Sequence, residues 1–392
     1  MNVLFFECGC LVLLVVCLFL ERASLDRRLR KIPLRICVSG TRGKSTVTRL
    51  IAAALRETGR RVLAKTTGSK PVVILPDGRE KVIRRAGPPS ILEQMKILKL
   101  ARAIQADAVV MEMMSIRPEN MRAESRALIK PHILVLTNVR LDHVDDMGRR
   151  KDEIAASLAA AIPGQGRVIV LEEDVYPVFH AVAEKRGAAI VPVPKNYAGV
   201  NAGGDLFPEN RRLALATVEA CGCPREPALR GMAKAGPDFG GARIWKTDRA
   251  GRPWYLASIF AANEPESSMK AISVLRRRYA DLPRNMLALL NLRADRGDRT
   301  RQWLEALQGG FFNDFSRVVF IGDHAAAIGR RKKIAAGAEI PVSAISERRP
   351  GKIMDGVFSL SDKGSIVVGL GNMGGLGERL VEYWARIGEI VT

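Results

Sequence analysis

The chain is 392 residues long, 47% hydrophobic and 26% charged, and its 62 Lys and Arg outnumber 41 Asp and Glu to leave a net charge of +21. That length holds two packed domains, and that composition excludes a disordered or fibrous chain. The positive excess favours polyanionic partners, but 5% aromatic content is thin for a base-stacking platform, so an acidic polymer or anionic lipid is expected and nucleic acid is not.

Val3 to Leu20 carries a single charge, Glu7, over 18 residues and reads as a membrane-spanning helix at the short end of the usual length. No basic stretch precedes it and no small-x-small cleavage signal follows, so it is expected to stay as an anchor. Arg22, Arg27, Arg28, Arg30 and Lys31 follow at once. By the positive-inside rule they put the N-terminus outside and the remainder in the cytoplasm, a single pass through the cell membrane. Residues 1–34 are thus an anchor with a basic juxtamembrane segment. Three of the six cysteines (Cys8, Cys10, Cys17) lie here, and no paired Cys-x-x-Cys set occurs, which argues against structural zinc and for a reducing compartment.

Leu34 to Val38 reads as a buried strand and Val47 to Arg56 as a helix rich in alanine. Between them lies Gly40-Thr41-Arg42-Gly43-Lys44-Ser45-Thr46, the short form of a phosphate-binding loop. Its glycines let backbone N–H groups turn towards a phosphate, and the helix start adds partial positive charge. Lys44 supplies a full charge for the β- and γ-phosphates, and a hydroxyl of Ser45 or Thr46 reaches Mg²⁺. A second strand, Arg61 to Lys65, leads to a hairpin around Pro76-Asp77-Gly78, and a helix is expected from Ser90 to Ala106. The apolar run Ala108 to Met111 ends in Glu112. Ile133 to Leu136 ends in Thr137-Asn138, with Asp142-His143 beyond, and Arg167 to Leu171 is a further strand.

Strands alternating with helices predict an α/β fold: a P-loop ATPase domain with a mostly parallel, doubly wound sheet over residues 35–241. A linker is expected at Gly231 to Gly241. Trp254 to Phe260, Met286 to Leu292, Val318 to Ile321 and Ile366 to Val368 then form the strands of a smaller, Rossmann-like domain over 242–392. Gly369-Leu-Gly371-Asn-Met-Gly374 is spelled like a dinucleotide fingerprint, yet too little chain follows it for a second strand and an acidic ribose ligand. It reads as a tight final strand-to-helix turn.

In a doubly wound sheet, ligands gather beyond the C-terminal ends of the strands. There Glu112 is placed to hold Mg²⁺ together with Ser45, and His143 offers a nitrogen to the same or a second ion.

At this point the sequence resembles the Mur ligase superfamily, ATP-dependent enzymes that join a carboxylate to an amine. The matching features are the loop Gly40 to Thr46, Glu112, Thr137-Asn138-Val-Arg-Leu-Asp142-His143, Asn210 heading Asn-Arg-Arg-Leu-Ala-Leu-Ala, Arg243, Asn263-Glu-Pro-Glu-Ser267, and Asn291-Leu-Arg-Ala-Asp295-Arg296-Gly-Asp-Arg299. Within the superfamily the chain looks most like the membrane-anchored ligase subunit of poly-γ-glutamate synthases, which also opens with one hydrophobic helix. Lys65-Thr-Thr-Gly68 and Phe260-Ala-Ala-Asn263 are similar too. Only about 14 residues separate the hydrophobic helix from the first strand, too few for the sugar-nucleotide domain of cell-wall Mur ligases.

The resemblance implies that Lys44 and the loop hold the phosphates of ATP, that Asn138 and Asn210 contact the nucleotide, and that Ser45, Glu112 and His143 arrange magnesium. Arg243 is implied at the γ-phosphate, Asn263 near the reacting phosphate, and Asp295 and Arg296 near the acyl phosphate. Two positions depart from the pattern. Phe260 stands where relatives often carry a ribose-binding aspartate, and Ala155 to Ile162 lacks the lysine that becomes carbamylated in many of them. The implied reaction joins a glutamate γ-carboxylate, activated as an acyl phosphate, to the amine of another glutamate on a growing chain. Other membrane subunits and an oligomeric assembly are implied with it. The competing readings are a folylpolyglutamate-like ligase for another acidic substrate and a membrane-tethered regulatory ATPase, the second of which leaves Arg243, Asn263 and Asp295 unexplained.

Overall fold

The structure, a computed structural model, describes residues 2–68, 71–85, 87–142, 144–197, 207–235, 243–279, 283–330, 340–361 and 364–391. The chain divides into two compact units, Met1–Val200 with Glu209–Gly236, and Asn201–Pro208 with Pro237–Thr392.

The first unit opens with one long helix, Asn2–Arg30, so the basic stretch expected to follow the anchor continues the same helix as far as Arg30, with Lys31 just beyond it. Eight strands follow: β1 (Leu34–Ser39), β2 (Val62–Thr66), β3 (Val72–Ile74), β4 (Glu80–Val82), β5 (Ala108–Glu112), β6 (Ile133–Leu136), β7 (Arg167–Leu171) and β8 (Ala189–Val193). They form one sheet in the order β4-β3-β2-β5-β1-β6-β7-β8. From β2 to β8 every pair is parallel, while β3 and β4 add an antiparallel edge. The central strands read as continuous Val, Ile and Leu runs because both faces are covered. β8 escapes a sequence reading because Pro192 interrupts its apolar run. An edge strand tolerates proline, having no second neighbour that needs its N–H.

The helix Lys44–Glu57 covers one face, and its run of alanines lets the helix Arg225–Ala233 come close. A Cβ at Gly231 would stand 2.6 Å from the Ala53 carbonyl, so the two backbones nearly touch there. The helix expected from Ser90 runs over Glu93–Ala103.

The second unit holds β9 (Arg243–Arg249), β10 (Arg252–Ser258), β11 (Met286–Leu292), β12 (Arg317–Gly322), β13 (Val342–Ala344), β14 (Ile366–Gly371) and β15 (Glu389–Ile390), in the order β13-β12-β11-β14-β10-β9-β15. β13 to β10 run parallel, and β9 folds back on β10 as a hairpin. The strand expected from Trp254 to Phe260 ends at Ser258, and Phe260 begins a turn of 3-10 helix. The expected linker reaches into residues 236–242, which lie outside the described residues.

Candidate active site

In the first unit β5 and β6 flank β1, so the chain leaves the sheet centre in opposite directions from these neighbours. The loop Gly40 to Gly43 sits in the resulting crevice, at the carboxyl end of β1. Gly40 has φ +121° and Gly43 φ +79°, backbone states that favour glycine. Space imposes the same choice. A Cβ at Gly40 would lie 2.8 Å from the Thr137 backbone nitrogen, with the Thr137 hydroxyl closer still, and one at Gly43 would lie 2.5 Å from Asn210 Oδ1.

The loop is tied to the end of β6. Thr41 Oγ1 donates to Asn138 Oδ1 at 2.6 Å, the Arg42 N–H donates to the same oxygen at 3.0 Å, and Asn138 Nδ2 returns a bond to the Arg42 carbonyl at 3.2 Å. Thr41 Oγ1 also accepts the Arg140 N–H at 3.0 Å. The Arg42 guanidinium pairs with buried Asp142 at 3.3 Å. Asn138 and Asp142 thus shape the loop, and Asn210 presses on it from the helix Pro208–Ala220.

Lys44 opens the helix and its ammonium donates to the Gly40 and Thr41 carbonyls at 2.7 and 3.1 Å, curled over the loop it belongs to. Beside it, Ser45 Oγ donates to Glu112 Oε2 at 2.7 Å, and the Thr67 N–H donates to that oxygen at the same distance. Ser45 and Glu112 are buried, at 8% and 3% exposure. The glycine loop expected to bind phosphate and a hydroxyl–carboxylate pair therefore lie side by side. Among the described residues no group of three His, Cys, Asp or Glu side chains converges. His143, the third expected ligand, lies outside the described residues.

Behind Glu112 lies a buried network that sequence reasoning missed. Lys65 on β2 is fully buried, and its ammonium meets Glu93 at 2.8 Å and Gln94 Oε1 at 3.2 Å. Burial lowers its pKa against the opposing pull of Glu93. Burial also acts to raise the Glu93 pKa, but hydrogen bonds from Arg85 and Lys65 outweigh it and hold that carboxyl at about 2. Gln94 Nε2 donates to the Glu112 carbonyl at 3.2 Å and to Glu124, which accepts the N–H groups of Met114 and Ser115 just past β5. Each member is an unremarkable polar residue in one dimension. Only the fold gathers them.

In the second unit the remaining candidates stand at the carboxyl ends of β10, β11 and β14. Asn263 adopts a left-handed conformation at φ +61°, its carbonyl accepts Trp303 Nε1 at 3.2 Å, and its Oδ1 accepts the Met373 N–H at 3.4 Å. Asn291 and Asn372 clasp each other, Nδ2 to carbonyl oxygen, at 2.6 and 3.2 Å. Arg299 donates to Asn372 Oδ1 at 3.1 Å. Asp295 pairs with Arg293 at 2.7 Å on an exposed loop, and Arg296 immediately precedes the helix Gly297–Gln308 without a side-chain capping bond. Arg243 opens β9 opposite Ser258, with its Nε buried and unmatched among the described residues. Phe260 is fully buried against Trp384 and Gly369, so the position where relatives often carry a ribose ligand is core here. The glycine run starts within β14 and continues into a strand-to-helix turn, with Gly371, the strand's last residue, at φ +84°.

Comparison with known proteins decides the family. Residues 38–206 match the Mur ligase middle domain, and residues 244–387 match the poly-gamma-glutamate synthase CapB C-terminal domain. The PGA synthase CapB of Bacillus subtilis (strain 168) is 30% identical over 385 residues, 95% of this chain and 95% of that protein. The chain belongs to the CapB family. A second CapB relative, the capsule biosynthesis protein CapB of Bacillus anthracis, is 34% identical over 303 residues, 75% of this chain and 64% of the relative, so the chain spans just under two thirds of it. Solved structures share the fold. Folylpolyglutamate synthase/dihydrofolate synthase of Yersinia pestis complexed with AMPPNP and Mn superposes with a TM-score of 0.67 at 16% identity, covering 93% of this chain and 92% of that one. E. coli FolC in complex with ADP gives 0.64 at 17%, covering 94% and 93%.

Proposed function

We propose that this CapB-family chain is an ATP-dependent amide ligase that activates a glutamate γ-carboxylate as an acyl phosphate and joins it to the amine of another glutamate, lengthening poly-γ-glutamate. Family membership supports the reaction class, and a B. subtilis relative over 95% of its length carries the name PGA synthase. The observation that carries the reading within this chain is the buried Ser45–Glu112 pair at 2.7 Å beside a loop whose two glycines leave no room for a Cβ.

A nucleotide fits that loop. Backbone without side chains at Gly40 and Gly43 allows an anion to approach, Lys44 supplies a point charge, and the helix start at Lys44 supplies oriented N–H groups. A magnesium ion fits the hard oxygen donors of Ser45 and Glu112, and when bound it supplies the positive charge that screens phosphate oxygens. The reaction is two displacements. A γ-carboxylate oxygen attacks the terminal phosphorus of ATP, forming the acyl phosphate and releasing ADP. The second glutamate's amine then attacks that carbonyl, phosphate leaves, and the amine gives up a proton as the amide forms. The first barrier is largely repulsion between anions, which Lys44 and fixed loop amides lower by positioning and charge. On family resemblance, Arg243 is assigned to the γ-phosphate, Asn263 to the surroundings of the reacting phosphate, and Asp295 and Arg296 to the acyl phosphate.

The helix Asn2–Arg30 supports anchoring in the cell membrane, with the N-terminus outside and both units cytoplasmic. Other membrane subunits and an oligomer belong to the same reading. The test is incubation of the detergent-solubilised chain with ATP, Mg²⁺ and candidate amino acids. Glutamate-dependent ADP formation with a γ-linked product is expected. ADP released without any glutamate dependence would favour a regulatory ATPase, and dependence on a different acidic acceptor would favour a folylpolyglutamate-like ligase.

A further inference from the structure

The helix Asn2–Arg30 changes character along its length. Leu11 to Val16 and Leu18 to Leu20 are exposed, an apolar surface that none of the described residues covers. Past Leu20 the helix is seated on the first unit. Leu25 and Leu29 are buried, Ile32 follows them into the core, and the helix Glu93–Ala103 packs alongside. The basic stretch is therefore held against a folded unit and does not trail as a tether.

Between the two helices lies a cavity of about 410 Å³ lined by Ser24, Arg27, Arg30, Lys31 and Arg102. Its lining is four cations and one hydroxyl with no carboxylate. Among the described residues none of the four cations has an ion-pair partner, and Asp26 on the same helix is bound by Lys130 at 2.7 Å and Arg22 at 3.6 Å, feeling Arg30 only at longer range. Like charges collected around one hollow repel, and a bound anion relieves that repulsion.

Height along the helix identifies the anion. Arg27 Nε donates to the Ala23 carbonyl at 3.3 Å and Arg28 Nη2 donates to Ser24 Oγ at 3.1 Å, so both side chains reach back towards the apolar span, as long helical side chains do. Ala23 and Ser24 lie three and four residues beyond Leu20, roughly 4.5 to 6 Å along the axis. The headgroup layer of a bilayer extends about 5 to 7 Å past the hydrocarbon. The guanidinium of Arg27 thus sits at the level of lipid phosphates, where a soluble polyanion meets a crowded, like-charged surface.

We propose that this cavity binds the phosphate of one anionic phospholipid, docking the catalytic unit on the membrane. The proposal rests on the reading of Asn2–Arg30 as a membrane anchor. Arginine pairs and a neighbouring hydroxyl suit a phosphodiester, which takes forked donors on two oxygens.

The test uses the full chain in neutral detergent, loaded with phosphatidylglycerol or with phosphatidylcholine, with the retained lipid counted by mass spectrometry after gel filtration. Wild type is expected to keep phosphatidylglycerol in preference. R27Q/R30Q/R102Q is expected to lose at least about tenfold of that retention, while R122Q/K185Q/K195Q, which removes as much charge elsewhere on the unit, keeps it. Both variants are expected to retain glutamate-dependent ADP formation in detergent, which shows that they fold. Equal retention of the two lipids, equal loss in the control variant, or displacement of phosphatidylglycerol by inorganic phosphate or by poly-γ-glutamate would each overturn the headgroup site. Release of wild type from membranes by alkaline carbonate would sink the anchor reading and the proposal with it. Firm membrane retention without lipid preference would sink the headgroup site alone.

Discussion

At the Ser45–Glu112 pair, one carboxylate oxygen of Glu112 accepts from both the Ser45 hydroxyl and the Thr67 N–H. Glu112→Gln keeps the shape but replaces the charge and turns one acceptor into a donor. Glutamate-dependent kcat/KM is expected to fall by at least about 100-fold, with the Mg²⁺ concentration for half-maximal rate rising, as when a metal site loses its anionic oxygen. Ser45→Ala removes the hydroxyl alone and is expected to cost less than Glu112→Gln. Steady-state ADP release across a Mg²⁺ titration checks the order. The loop glycines separate by what a Cβ would meet. At Gly43 it meets the Asn210 carboxamide, which can swing aside, so Gly43→Ala costs mainly about 1 to 2 kcal/mol of left-handed strain. At Gly40 it meets the Thr137 backbone, which cannot move without parting β1 from β6. Gly40→Ala is therefore expected to lose far more affinity for a fluorescent ATP analogue than Gly43→Ala, and Asn210→Ala added to Gly43→Ala is expected to recover only part of the loss.

The carboxyl end of β5 shows how element and site depend on each other. Glu112 is its last residue, and the turn that follows is pinned by Glu124 and Gln94, which lead on to Lys65, Glu93 and Arg85. Glu93 has its pKa held at about 2, below its unfolded value near 4.5, so its contribution to stability is complete above about pH 4.5 and is lost as pH falls towards 2. Thermal unfolding followed between pH 6 and pH 3 is expected to show a steeper acid loss for wild type than for Glu93→Gln. At pH 7 the variant is expected to be the less stable of the two, because it leaves the fully buried Lys65 ammonium without its anion. The same region marks where a sequence stops being legible. The loop Gly40 to Ser45 and the strand ends at Glu112 and Asn138 are local patterns, read from residues adjacent in the chain. The Lys65–Glu93–Gln94–Glu124 network joins three segments and has no period or spacing to betray it. Strands at or next to the sheet margins were hidden for a related reason: β8 carries Pro192, β9 has only two apolar residues among charged and polar ones, and β15 is two residues long. Each is made a strand by its neighbour and not by its own composition.

Over the whole chain, +21 is a property no single site uses, since the basic pairs are scattered from Arg27-Arg28 to Arg348-Arg349. Scattered charge binds poorly to a compact anion but well to a long one, which gains from many weak contacts at once. A growing poly-γ-glutamate chain is such an anion, with one free carboxylate per residue. If the surface retains the product between additions, salt should act on retention and not on bond formation. Screening shortens the reach of exposed charges from about 10 Å at 0.1 M to about 3 Å at 1 M, whereas Ser45, Glu112 and Asn138 are buried and feel little of that change. With ATP and glutamate saturating, raising NaCl across that range is expected to shorten the polymer while the initial rate of ADP formation stays within about twofold. A neutral osmolyte at matched osmolality is expected to leave length unchanged. Polymer length read on a gel against ADP released in the same reaction separates the two effects. A length that does not respond to salt would show that the excess charge serves something other than the product.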